Sequence, residues 1–308
     1  MDHCTIKVLR LFILLTFLSC ERKGGEAVEN QLSKKQIKIL IESIHDPLVT
    51  TGKVAYNPKN SSNSVIAKSL FNSNGSLASK SIYNSLGNLK SKVAFQYDKK
   101  GNVTQTNFYS SYGVLSRKKI NSFDPQDKLI ESKEFDDKGK QSEKQSVNFN
   151  NDGHKVITTF KVKGGNFVKA SESVFDSQGL NIENYYFTNE TLVRSEINRY
   201  DTNGNKIETS EFDPSNNTEK VTHYKFDDQN NNTEVVELNS SLMITSKVIC
   251  KFNDKRELTD SMTIGILGNI KKHVRYMYTY DEATNWVQKI SFVNNQPASV
   301  TLHRIEYY

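Results

Sequence analysis

An aromatic residue, then Asp or Asn, two variable residues and a glycine, frequently Gly-Asn, recurs through this chain and constrains its fold more than any other feature. The clearest copies are YNSLGN (83–88), YDKKGN (97–102) and YDTNGN (200–205). Looser ones are FNSNGS (71–76), FDDKGK (135–140), FNNDGH (149–154) and FDSQGL (175–180). The leading aromatics Phe71, Tyr83, Tyr97, Tyr109, Phe123, Phe135 and Phe149 stand alternately 12 and 14 residues apart, and Tyr200, Phe226 and Phe252 are 26 apart. A two-part unit of that length signals an array in which each unit packs on its neighbours.

The unit has a local physical reading. Asp or Asn followed by two polar residues and Gly-Asn is turn chemistry, because the side chain bonds backbone two residues on and Gly or Asn tolerates the left-handed region. On this reading Asn84, Gly87, Asn88, Asp98, Gly101, Asn102, Asp136, Gly139, Asp176, Gly179, Asp201, Gly204 and Asn205 are structural turn residues. An EF-hand loop is the competing reading of residues 201–212. It fails because Gly204 falls at the fourth position rather than the sixth, and Phe212 occupies the twelfth, where a bidentate Glu belongs. Between turns come stretches such as NKIETSEF (205–212) and NTEKVTHYKF (217–226), rich in β-branched and aromatic residues. These read as antiparallel strands in a continuous meander. The even spacing of the aromatics predicts that they hold comparable positions along one face, where cross-strand pairs can stack.

The repeat resembles the YD repeats of the RHS family, whose signature is an aromatic, Asp, two variable residues and Gly-Asn. The resemblance covers residues 54–308, and its final unit, 280–308, looks like the closing segment of small RHS-like lipoproteins of Bacteroidota. It implies a curled or twisted all-β sheet. Ala283-Thr284 departs from the glycine-containing turn, and several copies lack Gly-Asn, so the likeness is to a YD-like array. The toxin-delivery role of large RHS proteins is not carried over.

The N-terminal segment IKVLRLFILLTFLSC (6–20) sets Lys7 and Arg10 before an apolar run, then Ser19 and Cys20. The run is too short to span a bilayer and fits a signal-peptide core. Its ending resembles a bacterial lipobox, which makes Cys20 the expected lipidation site after removal of residues 1–19. Residues 20–32 read as a polar tether. Over 33–47, Ile37, Leu40, Ile41 and Ile44 lie at helical spacing, Ser33 and Gln36 form a capping-box pattern and Pro47 marks a stop, which predicts one short amphipathic capping helix. The β-array is expected over 48–308, with an irregular entry.

Composition limits the functional classes. Hydrophobic residues make up 36% of the 308 residues, too few for two thick cores. The net charge of +6, or +5 without residues 1–19, is interspersed, which argues against nucleic-acid binding. The histidines lack metal-ligand spacing, Cys250 sits in an apolar strand, and no nucleophile elbow or phosphate loop is present. No cofactor and no catalytic residue is therefore expected. The DSM tripeptide (260–262) makes Ser261 a candidate O-glycosylation acceptor. The leading reading is a non-catalytic, lipid-anchored outer-membrane protein on the periplasmic side, whose array binds or scaffolds an envelope protein or glycan. The alternative is a carbohydrate-binding module that uses exposed repeat aromatics or Trp286.

Overall fold

The computed structural model describes residues 36–50, 53–56 and 65–308. The signal segment, Cys20 and the tether lie outside them. Residues 33–308 form one self-contained unit. All described elements are strands, 22 in number, and none is a helix.

From β4 (Val65–Phe71) and β5 (Leu77–Tyr83) to β21 (Trp286–Val293) and β22 (Gln296–Tyr307), the chain runs as an uninterrupted antiparallel meander. β1 (Ile37–His45) then pairs antiparallel with both ends of it. Ile41 lies opposite Arg304 of β22 on one side and Lys68 of β4 on the other. The product is a closed 20-stranded barrel, with a separate hairpin of β2 (Pro47–Thr50) and β3 (Lys53–Tyr56).

Two expectations are corrected here. The sheet closes instead of remaining an open curl, and the segment expected to be a capping helix is the strand that closes it. Ile37, Ile39 and Ile41 carry a period of two that competes with the helical spacing of Ile37, Leu40, Ile41 and Ile44. The strand wins because β4 and β22 would otherwise present bare backbone edges. One strand satisfies both, and β-branched isoleucine suits the pleat better than the helix.

The repeated motif forms one kind of connection. In the copy beginning at Asp201, the Gly204 amide bonds the Asp201 carbonyl at 3.1 Å and the Asp201 amide bonds the Asn205 carbonyl at 2.9 Å. This is a type I turn completed by a residue in the left-handed region, which forms a bulge. Fourteen connections share the bond pattern; nine have glycine at the positive-φ position and the others have Asp127, Asn230, Leu242, Arg256 and Thr284. Among the described connections, those at Gly164-Gly165, Asn189-Glu190 and Asn294-Asn295 have two successive positive-φ residues, the signature of two-residue hairpins.

The bulge also corrects the reading of the aromatic rows. Beside most of these turns a register shift, as between Leu70 and Phe71, makes paired positions differ by an odd number, as with Leu70 opposite Ser79 and Ser79 opposite Ala94, whereas the turn at Asn150 has no such shift. Aromatics an even number apart therefore alternate between faces. Phe71, Tyr97 and Phe123 share one face near one rim, while Tyr83, Tyr109 and Phe135 share the opposite face near the other. Following the same register around the ring, the second face buries only Ser79, Thr158, Val174, Val221 and Val300 among the described strand residues, whereas Ser69, Thr106, Ser132, Thr159, Asn198, Thr209, Thr222, Ser291 and Thr301 all lie on the first face and all are buried. In a closed ring the inner circumference is the shorter one, so crowding identifies this face as the interior. Only Ala67, Val174, Phe175, Val221 and Val300 are buried hydrophobics among the described residues, so the wall has no thick apolar core.

The turn geometry makes two opposite forecasts for thermal melts. Gly204 has φ +80 and an added Cβ would meet only Leu180 Cδ2 at 3.7 Å, so Gly204→Val should destabilise through backbone strain alone, by about 1–3 kcal/mol. Thr284 is β-branched at φ 64, so Thr284→Gly should stabilise by about 1 kcal/mol. Chelator should leave the melt unchanged, because Asp201 Oδ1 already accepts the Asn203 and Asn205 amides and Oδ2 accepts Asn205 Nδ2. A chelator-sensitive melt would restore the calcium reading.

Candidate functional site

The surface chemistry of the wall is set by cations lying over aromatic rings. Lys92 stands opposite Tyr109, Arg117 opposite Phe108, Lys118 opposite Phe135 and Lys155 opposite Phe175. Each cationic head reaches its partner ring, at 5.4, 3.7, 5.5 and 4.8 Å from the centroid. Some of these pairs lie on the inner face and others on the outer one. The aliphatic stems cover apolar carbon while the charges stay wet. Ion pairs add to the lattice; Glu234 is held by Lys225 and Lys247, each at 2.8 Å, and these contacts keep its carboxyl below the usual range.

A group of ionisable and aromatic side chains gathers where the ring closes. Glu42 of β1 faces His303 of β22, with Oε2 2.9 Å from Nε2. His303 stacks on Trp286, centroids 3.4 Å apart and planes inclined 27°. Lys289 lies 5.2 Å from the Trp286 ring and 5.8 Å from that of Tyr276, and Tyr278 meets Trp286 edge-on at 6.0 Å. The bond to His303 holds the Glu42 carboxyl below its usual range against the cost of burial, with Lys289 and Lys80 assisting. Burial pushes the phenols of Tyr276 and Tyr278 upward, and Tyr278 donates to the Leu258 carbonyl at 2.8 Å. This is an interior patch of occupied groups: the imidazole has the carboxylate on its edge and the indole on its face.

Other chemical candidates do not converge on it. His273 contacts Asp260 at 2.9 Å and His223 contacts Glu208 at 3.5 Å, both on the outer face. Among the described residues no group of three His, Cys, Asp or Glu side chains is arranged to hold a metal. Cys250 lies within β18 (Ile244–Phe252), 3.9 Å from Ser261 Oγ of β19 (Leu258–Ile264), and burial pushes its thiol upward. A raised thiol stays protonated, which opposes nucleophilic use. Ser261, the candidate glycan acceptor, is half-buried in mid-strand on the interior face. A depression of about 400 Å³ near the rim is lined by Arg194, Glu211, Lys220 and Leu238 among others.

The turn residues are spread over both rims. Asp98, Asp176, Asp201 and Asn102, Asn205 lie on one rim; Asn84, Asn88 and Asp136 lie on the other. Gly87, Gly101, Gly139, Gly179 and Gly204 all have positive φ. Their Asp and Asn partners bond their own turns, as in Asp98 Oδ1 with the Lys100 and Asn102 amides, and so compose no common site. Glu42 and His303 were not singled out by the sequence. They are 261 residues apart, and no local pattern marks a pair that exists only because β1 closes the ring.

No protein-family model matches the chain, and no curated protein matches it. Solved structures with some likeness include TcdB2-TccC3-Cdc42, at 12% identity and a TM-score of 0.29, covering 85% of this chain and 16% of that one. A porin-like protein from Bacteroides uniformis ATCC 8492 aligns at 8% identity and TM-score 0.32 over 88% of this chain and 98% of its own. A porin-like protein from Bacteroides vulgatus ATCC 8482 aligns at 9% identity and TM-score 0.24 over 89% and 99%. This chain thus spans a small part of the first structure and nearly the whole length of the other two.

The seam group has its own reporter, because Trp286 is the chain's single tryptophan. Glu42 has a lowered folded-state pKa, so its contribution to stability is present above the unfolded carboxylate value and is lost as pH falls through the folded one. Glu42→Gln should therefore flatten the acid side of the stability profile, and His303→Ala should red-shift Trp286 emission by uncovering the indole. An unchanged spectrum in His303→Ala would contradict the stacked geometry.

Proposed function

We propose that this chain is a non-catalytic, lipid-anchored protein of the bacterial envelope, a YD-like relative of the small RHS-like lipoproteins of Bacteroidota. Its barrel serves as a binding or scaffolding surface. The observation that carries the reading is the lattice of cation–aromatic pairs and ion pairs over both faces of a closed wall. Such a lattice makes a durable polar surface, and many of its rings are already occupied by cations from neighbouring strands.

That same observation weighs against the carbohydrate-binding alternative. A sugar-stacking platform needs an open aromatic face, whereas Trp286 carries His303 on one face with Lys289 close by, and Tyr109 and Phe108 carry Lys92 and Arg117. The wall also argues against a membrane-spanning role. Lys68, Lys118, Lys144, Glu208 and Arg275 all project from the outer face within their strands, where a transmembrane barrel needs an apolar band. Attachment through a lipid on Cys20 is consistent with a polar wall, and the Arg22-Lys23 pair just after it favours the periplasmic side.

The expected behaviour in cells is partition into detergent, abolished by Cys20→Ser. Continued partition and unaltered processing of that variant would sink the lipid anchor. Protease added to intact cells should leave the protein whole, and rapid loss would put it on the outer surface. A glycan that binds the purified protein and is lost with Trp286→Ala would replace scaffolding by carbohydrate binding.

A further inference from the structure

The two rims of the barrel differ in chemistry, although the same repeat builds both. Because the meander alternates direction, connections beginning at Asn72, Asp98, Asp124, Asn150, Asp176, Asp201, Asp227, Asn253 and Asp281 lie on one rim. Their five-residue turns contain no exposed large hydrophobic residue, although Phe149, 65% exposed, directly precedes one of them. The opposite rim carries Leu86 (68% exposed), Tyr112 (90%), Leu242 (71%) and Leu267 (93%) at turn tips, beside Val114, Met243 and Ile266.

These residues are not scattered around that rim. In ring order, the connections at 239–243 and 265–269 are followed by 293–296, by the β2–β3 hairpin with exposed Leu48 and Val49, and then by 84–88 and 110–114. The apolar tips therefore share one continuous arc. The remaining arc has the tips Asp137-Lys138, Gly164-Gly165, Asn189-Glu190 and Pro214-Ser215, none of them a large apolar residue, with Phe167, Val193 and Phe212 only 38–39% exposed in the flanking strands. Exposed apolar clusters of this kind mark interaction surfaces. Backbone geometry adds a second sign. Leu242 has φ 57, a position given to glycine in most sister turns, so a large apolar side chain is kept there at the expense of strain.

Charge identifies the partner. Each of these four tips is followed within a few residues by cations: Lys90 and Lys92, Arg117 to Lys119, Lys247, and Lys271 and Lys272, of which Arg117 and Lys247 also pair with Glu134 and Glu234. Segments 83–92, 109–119, 238–247 and 264–273 hold no Asp or Glu at all. On the other arc, segments 135–144, 187–197 and 212–222 hold Asp136, Asp137, Glu143, Glu190, Glu196, Asp213 and Glu219. Apolar tips above a collar of lysine and arginine match the interface of a bilayer with anionic headgroups, where leucine and tyrosine enter the acyl boundary and cations meet phosphates.

We propose that this arc of the rim docks on an anionic lipid surface, placing the barrel upright on the membrane with its polar rim outward. The contact is independent of Cys20, and works alongside any lipid attached there. A chain lacking residues 1–20, whose barrel closes wholly within residues 33–308, isolates the rim from both the signal segment and the acyl anchor.

The test is co-sedimentation of that chain with phosphatidylcholine vesicles, with and without one quarter phosphatidylglycerol. Binding should require the anionic lipid and weaken with salt. It should fall at least tenfold in the triple variant Leu86→Asp, Tyr112→Asp, Leu267→Asp, and about fivefold for each of Lys271→Ala and Lys272→Ala. Lys138→Ala on the polar arc should bind as the parent does, and thermal melts should show all variants folded. No binding to anionic vesicles, or equal loss in Lys138→Ala, would overturn the proposal. Concentration-dependent dimers abolished by the same triple variant, without vesicle binding, would assign the arc to a second copy of this chain.

Discussion

The structure depends on the pairing of β1 with both ends of the meander. A run of hairpins extends its sheet readily, because each new strand bonds the last, but it always leaves two edges. Here the two edges are β4 and β22, and residues 39–43 of β1 pair with both, as where Glu42 faces His303 on one side and Ala67 on the other. The C-terminal residue adds to the seam, since the Tyr308 amide bonds the Gln36 carbonyl at 3.0 Å and its hydroxyl bonds the Phe71 carbonyl at 2.6 Å. Closure removes the liability of exposed edges without needing a helix or a thick core.

With the edges gone, cohesion runs along the wall. Side-chain bonds between strands join ring neighbours or next neighbours, as in Tyr200 to the Asn181 carbonyl at 2.7 Å and Lys119 to Gln145 at 3.4 Å. Turns of successive units also touch, as where Asn205 Nδ2 donates to Asn230 Oδ1 at 2.9 Å. Small polar residues fill the crowded interior positions, and cations lie over rings on both faces. A wall of this kind tolerates a low apolar content, and it leaves the rims as the places where units can differ.

Most of the local structure was legible in the chain. The Asp-x-x-Gly-Asn turns followed from the conformational freedom of glycine and the reach of a short carboxylate, and the strands between them from their β-branched content. What the sequence concealed was parity and closure. A register shift beside most turns, as between Leu70 and Phe71, converts an even spacing into alternation of faces, so Phe71 and Tyr83 part company despite standing 12 apart. Ile37, Leu40, Ile41 and Ile44 fit two periods at once, and only the presence of two unsatisfied edges far along the chain decides between them. The Glu42–His303–Trp286 group was hidden for the same reason, since its members meet only across the seam.

Ile41→Pro would test closure most directly, read by amide hydrogen exchange together with the sedimentation of the purified protein. Ile41 sits at the centre of β1, between Arg304 and Lys68, and proline there removes a ladder donor and disrupts the strand. The account predicts loss of protection in peptides covering Val65–Phe71 and Gln296–Tyr307, little change in mid-meander strands, and association of the opened edges into larger species. A variant that stays monomeric with both segments fully protected would show that the barrel does not depend on β1.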